Sequence, residues 1–134
     1  MSTMNPVVHF EISGDDKARM VKFYQSAFGW QAQQLGAEMG DYILVQTTET
    51  DPATSMPKEP ARINGGFYQR TKDPQYKYPS IVIAVDNLNE SMEKVKAAGG
   101  SIHGEVQEIP GYGTFVSIID TEGNRIGLMQ PNMR

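Results

Sequence analysis

The chain has 134 residues, of which 39% are hydrophobic and 21% charged, and its 16 acidic and 12 basic residues give a formal net charge of −4. This length predicts one domain with a buried core, because single domains cluster at roughly 100–150 residues. The basic residues are scattered along an acidic chain, so we expect no nucleic-acid partner. The absence of cysteine excludes disulfides, thiolate catalysis and Cys-ligated zinc.

The ends and the apolar runs of the chain bear on its location. No apolar run approaches the roughly 20 residues that span a bilayer, and the first residues lack a basic segment followed by a long apolar one. The sequence therefore predicts a cytoplasmic protein with no membrane partner.

The first half of the chain predicts a strand, a helix and three further strands. An apolar and β-branched run at residues 7–12 precedes Ser13-Gly14-Asp15-Asp16, which is typical of a helix start. Apolar residues at helical spacing predict a helix with a broad buried face from Lys17 to Phe28, ended by Gly29. The prolines of residues 48–62 predict an exposed loop. The three strands are expected at residues 30–35, 42–47 and 63–69.

The second half repeats this order. A strand at 81–85 precedes a helix that begins at Asp86-Asn87 and ends at Gly99-Gly100. Three more strands are expected at residues 101–106, 114–119 and 125–130. This repeat indicates a duplicated module. We expect an α+β fold of tandem βαβββ modules in a single domain over residues 1–134, with module one at about 5–70, a linker at 71–79 and module two at about 80–131.

Two groups of residues resemble the vicinal oxygen chelate (VOC) superfamily, which includes glyoxalase I, extradiol dioxygenases and bleomycin-resistance proteins. The first is His9-Phe-Glu-Ile followed by Phe23-Tyr24 and Gly29-Trp30, and the second is Asp120-Thr-Glu-Gly-Asn-Arg-Ile-Gly-Leu128. The resemblance covers nearly the whole chain and favours the glyoxalase-like branch related to lactoylglutathione lyase. It implies a half-open, barrel-like cleft that binds a small molecule, usually within a homodimer.

The resemblance also implies four positions at which metal-dependent members carry His, Gln or Glu ligands. The first-strand positions fall on His9 and Ser80, and the last-strand positions fall on Gly127 and on Gly65 or Gly66. One imidazole and one hydroxyl supply too few ligands and too little charge for a divalent ion. We therefore expect no metal and no other cofactor, with a divalent ion held through His9 as the disfavoured alternative.

His9 and Glu11 are the candidate catalytic residues. Strand alternation places both on one face of the first strand, opposite Val8, Phe10 and Ile12. A histidine and a carboxylate on one face can form a proton-handling pair. The alternatives are a single metal contact and a structural hydrogen-bonded pair.

Four further residues are candidate ligand contacts. Ser80, Arg125 and Gly127 fall on the cleft faces of their strands, and Arg125 is the candidate anchor for an anion. Tyr112 lies in the glycine-bounded segment 109–113, which either closes over a ligand or only joins two strands. His103 is expected to be a surface or hydrogen-bonded residue.

Two functions are open at this point. One is a lyase or isomerase that acts next to a carbonyl group, with His9 and Glu11 handling protons. The other is a non-catalytic protein that sequesters a small molecule, as bleomycin-resistance proteins do. A domain of a larger complex with a filled cleft is a third class. Usual glyoxalase I chemistry is not expected, because the metal electrophile and the carboxylate base would both be missing.

Overall fold

The structure is a computed structural model that describes residues 4–132, and it contains ten strands and two α-helices in that range. They are β1 (Val7–Gly14), α1 (Lys17–Phe28), β2 (Gln31–Gln34), β3 (Ile43–Gln46), β4 (Thr50–Asp51), β5 (Met56–Pro57), β6 (Asn64–Gln69), β7 (Ser80–Ala84), α2 (Leu88–Ala97), β8 (Ser101–Ile109), β9 (Gly113–Ile119) and β10 (Arg125–Pro131). Short 3-10 helices lie at Ala37–Met39 and Pro74–Tyr76. Neither α-helix of this range is long and apolar enough to cross a membrane.

The chain forms two compact units that share one topology. The first unit comprises residues 9–79, and the second comprises residues 4–8 with 80–132. In the first, the strand order is β2-β3-β6-β1, with β6 parallel to β1 and antiparallel to β3. In the second, the order is β8-β9-β10-β7, with β10 parallel to β7 and antiparallel to β9. The predicted α+β fold of tandem βαβββ modules is confirmed.

Each helix begins where its capping residue predicts. The Asp16 carboxylate accepts the backbone N–H of Arg19 at 3.0 Å, and Asn87 accepts that of Glu90 at the same distance. Helix α1 ends at Gly29, whose φ of 74° is left-handed. These local signals fix where the strand-to-helix turns occur in both units.

Each unit buries its own apolar cluster between its helix and one face of its sheet. In the first unit, helix α1 packs Met20, Val21 and Tyr24 against a buried group of three strand residues. That group is Ile43, Val45 and Phe67. In the second unit, helix α2 contributes Leu88 to a buried apolar group. The other members of that group are Val85, Val116, Ile118 and Leu128. The sheet face opposite the helix carries Glu11 and Gly66 in the first unit, and Val82, Phe115 and Gly127 in the second.

The buried face of α1 is narrower than its sequence predicts. Phe23 and Phe28 are 57% and 63% exposed. Their rings lie against Tyr24, at centroid distances of 5.0 and 6.0 Å, instead of entering the core. Tyr24 occupies the space between α1 and the sheet. Its ring stacks on Trp30 at a centroid distance of 4.8 Å and contacts the Phe67 ring at 5.3 Å.

The prolines of segment 48–62 predicted an exposed loop, but part of the segment forms strands. Strands β4 and β5 form a short hairpin that pairs Thr50 with Pro57. The Asn64 side chain donates to the Thr50 hydroxyl at 2.8 Å and so ties the hairpin to β6. Pro57 is tolerated because the two-stranded sheet leaves one side of each strand unpaired. Most of the segment is nevertheless exposed.

Candidate functional site

A chain of three hydrogen-bonded side chains lies on the polar face of β1. The Tyr42 hydroxyl donates to Oε2 of Glu11 at 3.0 Å, and the Tyr42 hydroxyl oxygen lies 3.0 Å from Nε2 of His9. Tyr42 directly precedes β3, and β6 separates β3 from β1 in the sheet. The ring therefore reaches across β6 to meet both side chains of β1.

Burial determines the charge of His9. Desolvation of the partly buried ring lowers the pKa of His9 from 6.5 to about 4. The imidazole is therefore neutral at pH 7. Because Tyr42 gives its one hydroxyl proton to Glu11, its oxygen accepts from Nε2–H of His9. This assigns the His9 proton to Nε2 and leaves a lone pair on Nδ1.

The register of β6 distinguishes the two glycines that the sequence left as alternatives. Gly65 pairs with Phe10, and a Cβ added to Gly65 would overlap the Phe10 ring on the core side. Gly66 pairs with Glu11, and a Cβ there would overlap the Tyr42 ring and hydroxyl. Gly66 is therefore the residue on the face of His9, and Tyr42 fills the space above it.

In the second unit, Ser80 and Arg125 are in direct contact. Arg125 donates from Nη2 to the Ser80 hydroxyl at 2.7 Å and from Nη1 to the Ser117 hydroxyl at 3.2 Å. All three residues are buried. His103 pairs with Ser117 across β8 and β9, so it lies at a register position beside this cluster and is half-buried. The cluster holds a buried guanidinium that donates to two serine hydroxyl groups.

Gly127 repeats the arrangement of Gly66. It pairs with Val82 in β7 and with Ser117 in β9, and a Cβ on it would lie 2.7 Å from Cε1 of Phe115. Each unit therefore has a glycine in its last strand and an aromatic ring above it, which comes from the start of the neighbouring antiparallel strand or from the residue before it. The ring is Tyr42 in the first unit and Phe115 in the second.

Tyr112 lies in a tight hairpin turn between β8 and β9. Its backbone N–H donates to the carbonyl of Ile109 at 3.0 Å, and its own carbonyl accepts from the N–H of Asn132 at 2.9 Å. Pairing of Ile109 with Gly113 leaves three residues in the turn. These bonds favour a plain connection between strands over a mobile cover. A ligand contact through Tyr112 stays a prediction.

Two members of these clusters were missed in the sequence. Tyr42 was predicted only as the start of a strand, and Ser117 only as part of one. Tyr42 is 31 residues from Glu11 along the chain, and its contact depends on a sheet register that a single sequence does not reveal. The face shared by His9 and Glu11 was accessible from strand alternation alone.

The fold and these positions identify the protein class. The chain belongs to the Glyoxalase/Bleomycin resistance protein/Dioxygenase superfamily, whose family model matches residues 7–128. A comparison with curated proteins finds no match.

Solved structures with the same fold include methylmalonyl-CoA epimerases. The enzyme from Mycobacterium tuberculosis has a TM-score of 0.62 and 15% identity over 95% of this chain and 88% of that one. A Streptomyces coelicolor epimerase variant in complex with 2-nitronate-propionyl-CoA has a TM-score of 0.66 and 12% identity over 98% of this chain and 100% of that one. A hypothetical protein from Bacillus halodurans has a TM-score of 0.68 and 12% identity, with 98% of each chain covered. At these identities the similarity shows the fold alone.

The residues at the four ligand positions do not fit a divalent metal. They offer the imidazole of His9 and the hydroxyl of Ser80, while Gly66 and Gly127 have no donor side chain. The Ser80 hydroxyl is 2.7 Å from the cationic Arg125, which would repel a second cation. Within residues 4–132, no group of three or more His, Cys, Asp or Glu side chains is arranged to hold a metal ion.

Proposed function

We propose that the protein binds a small carbonyl compound and moves a proton on the carbon next to the carbonyl group, as a lyase or isomerase, with no metal cofactor. The observation that carries this proposal is the contact of His9 and Glu11 with one hydroxyl on one face of β1. A carboxylate that a hydrogen bond holds in place can act as a general base.

The proposed step uses Glu11 as the base. Its carboxylate takes a proton from the substrate carbon, so that a C–H bond breaks and an O–H bond forms on Glu11. The electron pair of the broken bond moves into the carbonyl group to give an enolate. Delivery of a proton to the opposite face of the same carbon re-forms the C–H bond and the carbonyl group with inverted configuration, which epimerises the substrate. In a hydroxycarbonyl compound, loss of the hydroxyl proton and protonation of the former carbonyl carbon isomerises the substrate instead. The neutral His9 can accept a proton or a hydrogen bond through Nδ1.

The structural neighbours support the reaction class. Several are methylmalonyl-CoA epimerases, and epimerisation needs a proton to be removed from carbon and returned. The low identities leave the substrate of this chain open, so methylmalonyl-CoA serves as one probe among several.

Deuterium uptake tests this proposal. Metal-free protein is incubated in D₂O with methylmalonyl-CoA and with a panel of small hydroxycarbonyl compounds, and exchange at carbon is followed by mass spectrometry. We expect exchange of at least one compound, reduced about 100-fold or more in Glu11→Gln because general-base catalysis contributes about 10²–10⁴-fold. Glu108→Gln is the matched control, since Glu108 is exposed on β8. Equal exchange by Glu11→Gln and the wild type would refute the role of Glu11.

A second candidate function is non-catalytic binding of a small organic anion. It is favoured by the buried cluster of Arg125, Ser80 and Ser117, because a guanidinium with nearby hydroxyl groups suits a carboxylate. Under this function, organic acids stabilise the fold in a thermal-shift screen, whereas their amide counterparts do not. Ser80→Ala should lose that stabilisation and Ser101→Ala, at an exposed position of β8, should keep it. Stabilisation without exchange by any compound would favour this function over the first.

A further inference from the structure

We propose that Tyr42, seated above Gly66, is the positioning residue of the first unit: it fixes His9 as the Nε2–H tautomer and holds the Glu11 carboxylate. The relevance of this role to catalysis rests on the proposed proton transfer. The role itself is a property of the folded protein and can be measured without a substrate.

The position of the Tyr42 ring depends on the absence of a side chain at residue 66. Gly66 is buried and pairs with Leu44 of β3 on one side and with Glu11 of β1 on the other. A Cβ at this residue would overlap the Tyr42 hydroxyl oxygen, Cζ and Cε2. Glycine is therefore required for the ring to cross β6 and reach β1.

The proton arrangement follows from the two hydrogen bonds. A tyrosine hydroxyl has one proton to donate and an oxygen that can accept. Tyr42 donates to Glu11, so the contact with His9 is one in which Nε2–H of His9 donates to Tyr42. Since the partly buried imidazole is neutral at pH 7, it has a single N–H, and Nδ1 is unprotonated. Tyr42 thus sets which His9 nitrogen is basic.

The same contact orients the base. A hydrogen bond from Tyr42 restricts rotation of the Glu11 carboxylate and leaves its second oxygen outside this bond. Removing the hydroxyl while keeping the ring should misalign both groups without emptying the space above Gly66. A positioning role predicts that kcat for exchange falls about 10- to 100-fold in Tyr42→Phe, since proton transfer depends on alignment, while KM stays within about twofold.

The decisive measurement is the tautomer of His9 by ¹H–¹⁵N NMR at pH 7, in a His103→Gln background that leaves one histidine to assign. We expect the Nε2–H pattern in this background and a mixture of both tautomers when Tyr42→Phe is added. Gly66→Ala should cause the same change, because its Cβ displaces the ring. Tyr78→Phe is the matched control, since Tyr78 is 66% exposed, and should leave the tautomer unchanged.

The outcomes separate this inference from the proposed function. An unchanged His9 tautomer in Tyr42→Phe would overturn the positioning role, even if exchange by the wild type depends on Glu11. A changed tautomer would support the role, even if no compound in the panel exchanges. Because Tyr42→Phe keeps the ring, its test remains valid if Gly66→Ala fails to fold.

Discussion

Lowering the pH from 7 to 4 should destabilise the protein through His9. Burial lowers the pKa of His9 from 6.5 to about 4 in the folded state, whereas the unfolded chain keeps an ordinary histidine pKa of about 6.5. Between these two values the unfolded state binds a proton that the folded state does not, so the free energy of unfolding decreases as the pH falls. Above pH 6.5 both states are neutral at His9, and the contribution is constant.

The size of this effect follows from the difference between the two pKa values. At about 1.4 kcal/mol per pKa unit, the full loss is about 3 kcal/mol. This figure is an upper bound, since His9 is only partly buried by its accessible surface. It is still a large fraction of a typical domain's free energy of unfolding, which is roughly 5–15 kcal/mol.

Urea unfolding of the wild type and of His9→Gln at pH 7, 6, 5 and 4 measures the effect. Glutamine can still hydrogen-bond to Tyr42 but does not titrate, and acid effects from other groups cancel in the difference between the two proteins. We expect the wild type to lose up to about 3 kcal/mol more than the variant over this range. Equal losses, or an NMR titration midpoint of His9 near 6.5, would show that the imidazole is not desolvated as argued.

Four other outcomes are expected. Asp16→Ala and Asn87→Ala should each lower the free energy of unfolding by about 1 kcal/mol, because each removes a helix cap; no loss in urea unfolding would contradict the capping role. Gly127→Ala should cost about 1–3 kcal/mol through overlap with the Phe115 ring, and Phe115→Leu in the same chain should reduce that cost. Elemental analysis should find less than one divalent ion per chain, and His9→Ala should not change that content. Assays should find no appreciable turnover of the methylglyoxal–glutathione hemithioacetal. A stoichiometric metal that is lost in His9→Ala would instead indicate a metal-dependent lyase. Light scattering should give twice the monomer mass, and a monomer at micromolar concentration would count against the homodimer.

The fold was largely predictable because its signals are local and occur twice. Asp16 and Asn87 mark the two helix starts, and apolar runs mark the strands that follow. The errors fall where distant contacts decide the outcome. The hairpin of β4 and β5 is tied to β6 by the Asn64 side chain, 14 residues from Thr50, and no pattern within residues 48–62 indicates that bond.

The candidate site was predictable only as far as strand alternation reaches. Alternation placed His9 and Glu11 on one face of β1, and the structure adds the hydroxyl that joins them. Ser80 and Arg125 were each predicted to face the cleft, but their contact depends on the parallel register of β7 and β10. Side-chain contacts across strands come from register, which a single sequence does not fix.

The glycine and ring pairs give the duplicated fold a chemical asymmetry. At this position the two units differ by one oxygen atom, because Tyr42 covers Gly66 and Phe115 covers Gly127. The residue that pairs with each glycine in the neighbouring parallel strand also differs. Glu11 pairs with Gly66 and can accept a hydrogen bond from a phenol, whereas Val82 pairs with Gly127 and cannot. A hydroxyl gained at position 115 alone would have no carboxylate at the equivalent site to receive its proton. To give the second unit the polar pair of the first would therefore take two substitutions, one at Phe115 and one at Val82.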